Sequence, residues 1–204
     1  MRASILFGSA VLSLALSTVA APTPPVAEPV AEPVVEKDYQ VDPVHSSVLF
    51  RIKHLDVAYF YGCFKEFSGA FTLDEDHPEG SSAYLEIKAE SVDSRDAKRD
   101  QHLKSPDFFN ARQFPVIRFE SSSVEKKGKL WTLEGDLTMR GTTREVTIPM
   151  TETGSGPDPW GGERIGFEGE VTIQRSEFGI DYAKDALGDE VKLIISLESK
   201  LKQD

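Results

Sequence analysis

Period-two alternation of apolar and polar residues recurs along almost the whole chain from about residue 45 to residue 201, and it limits the possible folds more than any other feature. In HSSVLFRIKHL, Val48, Phe50, Ile52 and His54 share one face, and Leu49, Arg51, Lys53 and Leu55 the other. FSGAFTLD puts Phe67, Gly69, Phe71 and Leu73 together, and AYLEIKA does the same with Ala83, Leu85, Ile87 and Ala89. Ile117 and Phe119 oppose Arg118 and Glu120. Trp131, Leu133, Gly135, Leu137 and Met139 oppose Thr132, Glu134, Asp136 and Thr138. Val146, Ile148 and Met150 follow, then Ile165, Phe167, Gly169, Val171 and Ile173, and finally Val191, Leu193, Ile195 and Leu197. One dry and one wet face per segment is the pattern of antiparallel strands.

About eight such strands are expected, joined by turn-rich pieces such as DEDHPEG, EKKGK, RGTT and GSGPDPWGG. A single layer with one dry face must be covered or must close on itself. Too little helix is available for a cover. The expected fold is therefore all-β, an eight-stranded antiparallel up-and-down, lipocalin-like barrel. A sandwich is the alternative. Gly69, Gly135 and Gly169 fall on dry faces, where a barrel needs room or a bend.

The one substantial interruption is RDQHLKSPDFFNARQFPVIRF, Arg99 to Phe119. Ser94 is placed to cap a helix through RDAKRDQHLK, with Asp96 early and Lys104 late as the helix dipole prefers. Ser105-Pro106 stops it, and Asp107 is placed to cap a further turn, DFFN, before Phe114-Pro115 starts the next strand. This is a helical insertion between two strands, long enough to lie across a barrel mouth as a lid.

The ends and the bulk composition set further bounds. Met1-Arg2 followed by the apolar run Ile5–Leu16 and the small residues Thr18-Val19-Ala20 has the form of a signal peptide, residues 1–20, too short to span a membrane. Residues 21–38, with Val-Ala-Glu-Pro twice, are expected to be an extended, disordered Pro/Glu-rich spacer. Residues 39–204 are then the barrel domain, exported to the periplasm or secreted. A formal charge of −11 argues against nucleic acid and against anionic lipid headgroups as nonspecific partners. Cys63 alone cannot form an internal disulfide, and its expected role is a small buried hydrophobe.

An eight-stranded barrel is either filled by side chains or just able to hold one small ligand. His54 continues the dry face of Phe50 and Ile52, and Arg175 that of Val171 and Ile173. Either could meet a ligand head group at a wet end of the cavity. The alternatives are a neutral core histidine bonded to a carbonyl, and an arginine beyond the rim paired with an acid. His45, His54, His77 and His102 show no close metal-ligand spacing, and no nucleophile motif is present. His102, Asp100 and Asp107 fit a solvated helix face. No catalytic or metal residue is nominated.

Together, "VDPVHSSVLFRIKHL", "GCFKEFSGAF", "RDQHLKSPDFFNARQFPVIRF", "GDLTMRGTTREVTIP", "RSEFGI" and "LGDEVKLIISLE" resemble the YceI-like family of exported polyisoprenoid-binding proteins, in order and over nearly the whole domain. The resemblance implies a lipocalin-like barrel that binds, and could carry, a polyprenyl or ubiquinone-like chain, with no cofactor and no stable membrane insertion. A homodimer is an open option. The matching positions include His45, Ser46, Gly62, His102, Asp107, Arg140, Gly141 and Gly179. Strand alternation, rather than the family, nominates the lining: Phe50, Ile52, His54, Phe64, Phe67, Phe71, Leu103, Phe108, Phe109, Phe119, Trp131, Leu133, Phe167, Val171, Ile173, Arg175 and Phe178. An enzyme acting on an isoprenoid lipid and a stress-related protein with a solidly packed barrel are the alternatives. The Val-Ala-Glu-Pro spacer and Cys63 depart from the family pattern.

Overall fold

Every alternating segment forms a strand in the computed structural model, which describes residues 37–202; the expected signal peptide and residues 21–36 of the spacer lie outside the described residues. In chain order the elements are β1 (Lys37–Val41), β2 (Ser47–His54), β3 (Ala58–Phe64), β4 (Phe67–Leu73), β5 (Ser82–Lys88), β6 (Val92–Asp93), α1 (Ala97–Leu103), β7 (Val116–Lys127), β8 (Leu130–Met139), β9 (Thr142–Pro157), β10 (Glu163–Gln174) and β11 (Leu187–Leu201). The first strand thus begins at Lys37, two residues before the expected domain boundary.

Eleven strands make eight staves, because three staves are broken once. β1 and β2 lie end to end along β11, with Tyr39 opposite Leu201 and Ser47 opposite Ser196. β4 and β3 lie end to end beside them, and β5 and β6 beside those. The remaining strands follow in sequence order, and β11 returns to β1, closing an antiparallel up-and-down ring. Closure leaves the staves no long free edge, which answers the hazard that edge strands present. Breaks at Pro43, at Lys65-Glu66 and in the 3-10 turn Ala89–Ser91 let these staves bend. At Gly135 on β8 the facing backbone of β7, which bulges between Ser121 and Ser123, comes so near that a Cβ would lie 2.7 Å from the Ser121 Cα. Only glycine fits that bend.

An up-and-down ring puts alternate connections at the same end. The β2–β3 turn, the insertion between β6 and β7, the β8–β9 turn and residues 175–186 therefore share one end, here termed the mouth. The β4–β5, β7–β8 and β9–β10 turns, with the start of β1 and the end of β11, share the floor. Outward faces carry charge, with pairs such as Glu86–Arg118 and Glu170–Lys192 spanning neighbouring staves. A transmembrane barrel has the reverse polarity. No described helix is long and apolar enough to cross a membrane.

Two local expectations are corrected. Asp96, not Ser94, caps α1, accepting from the Arg99 amide at 2.8 Å. Ser94 is itself buried and donates to Asp100 through its amide at 2.7 Å and through its hydroxyl. Cys63 is half-buried on the outer face of β3, because Gly62 and Phe64 take the inner positions. Burial, with Asp93 nearby, pushes its thiol pKa up, away from thiolate reactivity.

Candidate functional site

The inner faces enclose a cavity of about 640 Å³. Its wall is made of alternate residues from the staves: Val48, Phe50 and Ile52 of β2, Phe64 of β3, Leu85 and Ile87 of β5, Ile117 and Phe119 of β7, Leu133, Leu137 and Met139 of β8. Ile148 and Met150 of β9, Ile173 of β10 and Val191, Leu193, Ile195 and Leu197 of β11 complete it. Half-buried apolar side chains such as Ile52, Leu133, Val191 and Leu193 face inward, so their remaining exposure is to the cavity rather than to the outer surface. A packed interior would leave no such exposure. The filled-barrel alternative is thereby excluded.

The floor is aromatic. Tyr39 stacks on Phe71 with centroids 5.3 Å apart, Phe71 meets Phe167 edge-on at 5.5 Å, and Phe167 meets Trp131 at 6.2 Å. The Tyr39 hydroxyl donates to Glu163 at 2.7 Å, and burial followed by that carboxylate raises its pKa. Only a small secondary space of about 60 Å³ remains among these rings. On the outer face at about this level an ion network joins the end of β1 to β10 and β11. Buried Asp42 meets Lys200 at 2.9 Å, Arg164 at 3.1 Å and His45 Nδ1 at 3.0 Å, and Arg164 reaches Asp158 and Glu198 as well. Lys200, against the opposing effect of burial, holds the Asp42 carboxyl well below the usual range, with His45, the Val44 amide and Arg164 adding to it. Ser46 donates to the Asp42 carbonyl and accepts from the Glu198 amide. The "VDPVHSS" stretch is thus a clasp at the floor. Asp42, His45 and Glu198 have ligand atoms within 4.8 Å of one another. Arg164 and Lys200 already supply that cluster with two cations, so a divalent ion would have to displace them.

The mouth is polar and aromatic. His102 of α1 bonds Asp107 Oδ2 through Nε2 at 2.8 Å, and its ring sits edge-on to Phe108 at 5.1 Å and to Tyr182 at 4.9 Å. Phe109 packs on Phe64 at 5.5 Å, and the Arg99 guanidinium lies 4.3 Å over the Phe60 ring. Arg140, in the β8–β9 turn, donates to the Pro106 carbonyl at 2.6 Å and ties the insertion to the barrel. The insertion caps the mouth as expected of a lid, with Leu103, Phe108 and Phe109 turned inward.

Arg175 is not an arginine beyond the rim paired with an acid; it borders the mouth end of the cavity. It is buried, at 3% exposure, and among the described residues no carboxylate pairs with it. Its Nε donates to the Gly188 carbonyl at 2.8 Å, Nη1 to Ile180 and Tyr182 at 2.9 Å each, and Nη2 to Leu187 at 3.1 Å. Four of five N–H donors are thereby used. Burial lowers its pKa, opposed by Asp189 and Asp181, but an arginine stays charged at ordinary pH. His54 is exposed on the rim and is not a core histidine.

Of the nominated lining residues, Phe50, Ile52, His54, Phe64, Leu103, Phe108, Phe109, Phe119, Leu133, Ile173 and Arg175 border the cavity. Phe71, Trp131 and Phe167 are corrected to the floor, and Phe67, Val171 and Phe178 to packing outside the cavity. Alternation identifies which face a residue takes but not its depth along the barrel. Residues 180–187 put Ile180, Tyr182, Ala183, Ala186 and Leu187 on the lining without any sequence signal for it. They carry no alternation, and DYAKDAL offers no other signal. Among the described residues the lining has no Asp, Glu, Lys, Ser or Thr, and its ionisable side chains besides tyrosine are His54, Arg99, His102 and Arg175, all at the mouth end.

A profile described as the YceI-like domain matches residues 39–199. The chain is 44% identical to protein YceI of Escherichia coli O157:H7 over 163 residues, 79% of this chain and 85% of that one. Among solved structures, Burkholderia cenocepacia BcnA superposes with a TM-score of 0.71 at 27% identity, covering 78% of this chain and 98% of BcnA. A polyisoprenoid-binding domain from Saccharophagus degradans, implicated in plant cell wall breakdown, superposes with a TM-score of 0.62 at 13% identity, covering 80% and 98%, and shares the fold. The barrel, its lidded apolar cavity and the matched sequence agree: the chain belongs to the YceI-like family.

Proposed function

We propose that this protein binds the hydrocarbon chain of an isoprenoid lipid, tail first, and leaves the head group at the mouth. The supporting observation is the cavity itself, about 640 Å³ with an almost wholly apolar wall and its polar groups confined to one end. At about 30 Å³ per water-sized group, that volume takes on the order of twenty heavy atoms, or roughly four isoprene units. Each buried carbon contributes about 0.8 kcal/mol, against an association cost of about 4–15 kcal/mol, so affinity depends on the number of units enclosed. His54, Arg99, His102 and Tyr182 at the mouth suit a phosphate, hydroxyl or quinone head, and a polyprenyl or ubiquinone-like lipid fits this description. The absence of any carboxylate from the lining favours holding over general acid–base chemistry. Residues 1–20 support export, with sequestration or transport as the role in the periplasm or outside the cell.

Mass spectrometry of an organic extract from natively purified protein tests the ligand class, and titration with prenyl alcohols of increasing length tests the fit. Binding should strengthen with each added unit up to about four and then level off. Failure to find or load any prenyl lipid would overturn the proposal. The N-terminal residue of the exported protein, expected to be Ala21, tests the leader.

A further inference from the structure

The β2–β3 turn is costly in a way that packing does not explain. Leu55 and Asp56 are consecutive residues at φ +52° and +53°, closed by the Val57 amide bonding the His54 carbonyl at 3.0 Å. Such a turn favours Asn-Gly, because a side chain at positive φ is strained. Leucine is a poor choice there unless its side chain is used. Yet Leu55 is 57% exposed and Val57, beside it, 82%. The tip is held rather than loose, since the Leu55 amide donates to the Ala186 carbonyl at 2.7 Å. Tyr59 stands just behind it, with Arg51 at 4.1 Å and Lys53 at 4.7 Å from its ring centroid, and half-exposed Tyr182 lies across the mouth. Apolar tips backed by tyrosine, lysine and arginine are the composition of a membrane interface.

The charge distribution points the same way. Residues 51–59, 94–115, 140–141 and 175–186, which make up the mouth, carry ten basic and seven acidic side chains, within a chain of 23 basic and 34 acidic residues; the local excess is opposite in sign to the charge of the whole chain. The cavity opening is therefore net positive, while of the floor turns DEDHPEG is acidic and EKKGK basic. A protein partner with an apolar groove would not need this basic surround, whereas an anionic lipid surface would attract it.

We propose that the mouth docks on a lipid bilayer containing anionic headgroups, with Leu55 and Val57 entering the interface and Arg95 and Lys98 above the phosphates. This rests on the binding function proposed above and adds where the lipid is exchanged. Docking this end would join the cavity opening to the acyl region, so a chain could pass without crossing water.

Flotation of the purified protein with vesicles of phosphatidylcholine, alone or mixed in equal parts with phosphatidylglycerol, tests it. Partition is expected on the mixed vesicles and should fall with added salt. Leu55→Asn with Val57→Ser, and separately Arg95→Gln with Lys98→Glu, should each weaken partition about tenfold. Asparagine tolerates positive φ, so the first variant should fold at least as well as the native chain. Uptake of a prenyl alcohol in vesicle-free solution, measured alongside, separates the two ideas. Native protein that loads the alcohol but ignores both vesicles overturns docking alone. Partition that neither variant alters also overturns it. Partition with no uptake overturns the binding function and leaves the docking surface standing.

Discussion

Replacing Arg175 by methionine isolates what the buried guanidinium does. The substitution keeps a long apolar stem and removes the charge with all its donors, leaving the Ile180, Tyr182, Leu187 and Gly188 carbonyls without their partner. A hydrogen bond to a charged group is worth about 1.5–3 kcal/mol net, and a stranded carbonyl costs about 1–3 kcal/mol. Four full losses would exceed the stability of many domains, about 5–15 kcal/mol. Water entering from the mouth will rehydrate some of these carbonyls, so the expected loss is about 3–5 kcal/mol. For a domain of this length that lowers the melting point by roughly 10 °C. Arg175→Lys should recover only part of it, because three donors on one nitrogen cannot match a planar fork that spans four carbonyls. The damage should also be local. The Ile180 amide bonds the Arg175 carbonyl at 3.1 Å and the Leu187 amide the Ala183 carbonyl at 2.8 Å, and both should lose hydrogen-exchange protection before the staves do. Thermal unfolding and native-state exchange measure this directly. A methionine variant that melts within a degree or two of the native protein, keeps both amides protected and loses only ligand affinity would refute the stapling role. It would return Arg175 to the head group.

Three other perturbations probe the lid, the clasp and the closure. Phe108→Ala with Phe109→Ala removes two inward rings, and the rate of lipid release should rise more than with His102→Ala, which leaves the apolar wall intact; the opposite ranking in a dissociation assay would reopen a chemical role for His102. Asp42→Asn should cost about 2–4 kcal/mol and flatten the acid limb of the stability curve. Because the native carboxyl titrates below the unfolded value of about 3.9, its stabilisation is complete above that pH and is lost as pH falls toward the native value; denaturant titrations at stepped pH would show native and variant curves converging in acid. Gly135→Val drives a side chain into the backbone of Glu120 and Ser121 and should abolish folding or lower stability by more than about 3 kcal/mol, as circular dichroism would show.

What was legible in the sequence and what was not follow from the range of the interactions. Alternation is local, because successive side chains on a strand must point to opposite faces. Phe50, Ile52, Phe119, Leu133 and Ile173 could therefore be assigned inward one segment at a time, and the lack of a covering helix then required the sheet to close. The lid was legible for the same reason: Pro106, Pro115 and the Phe108-Phe109 pair interrupt the pattern visibly. Depth along the barrel was not legible. It depends on the register between strands distant in the chain, and that register puts Trp131 and Phe167 at the floor while Leu133, two residues from Trp131, borders the cavity. Arg175 shows the limit most plainly. Its position on an inward-facing pattern was visible, but its partners are carbonyls of an irregular segment whose path only the packed barrel decides. The sequence by itself determined the faces, the closure and the family. The tertiary structure decided that the interior stays hollow, which end of it opens, and which charged groups hold that end together, because those depend on distances between staves that no local pattern encodes.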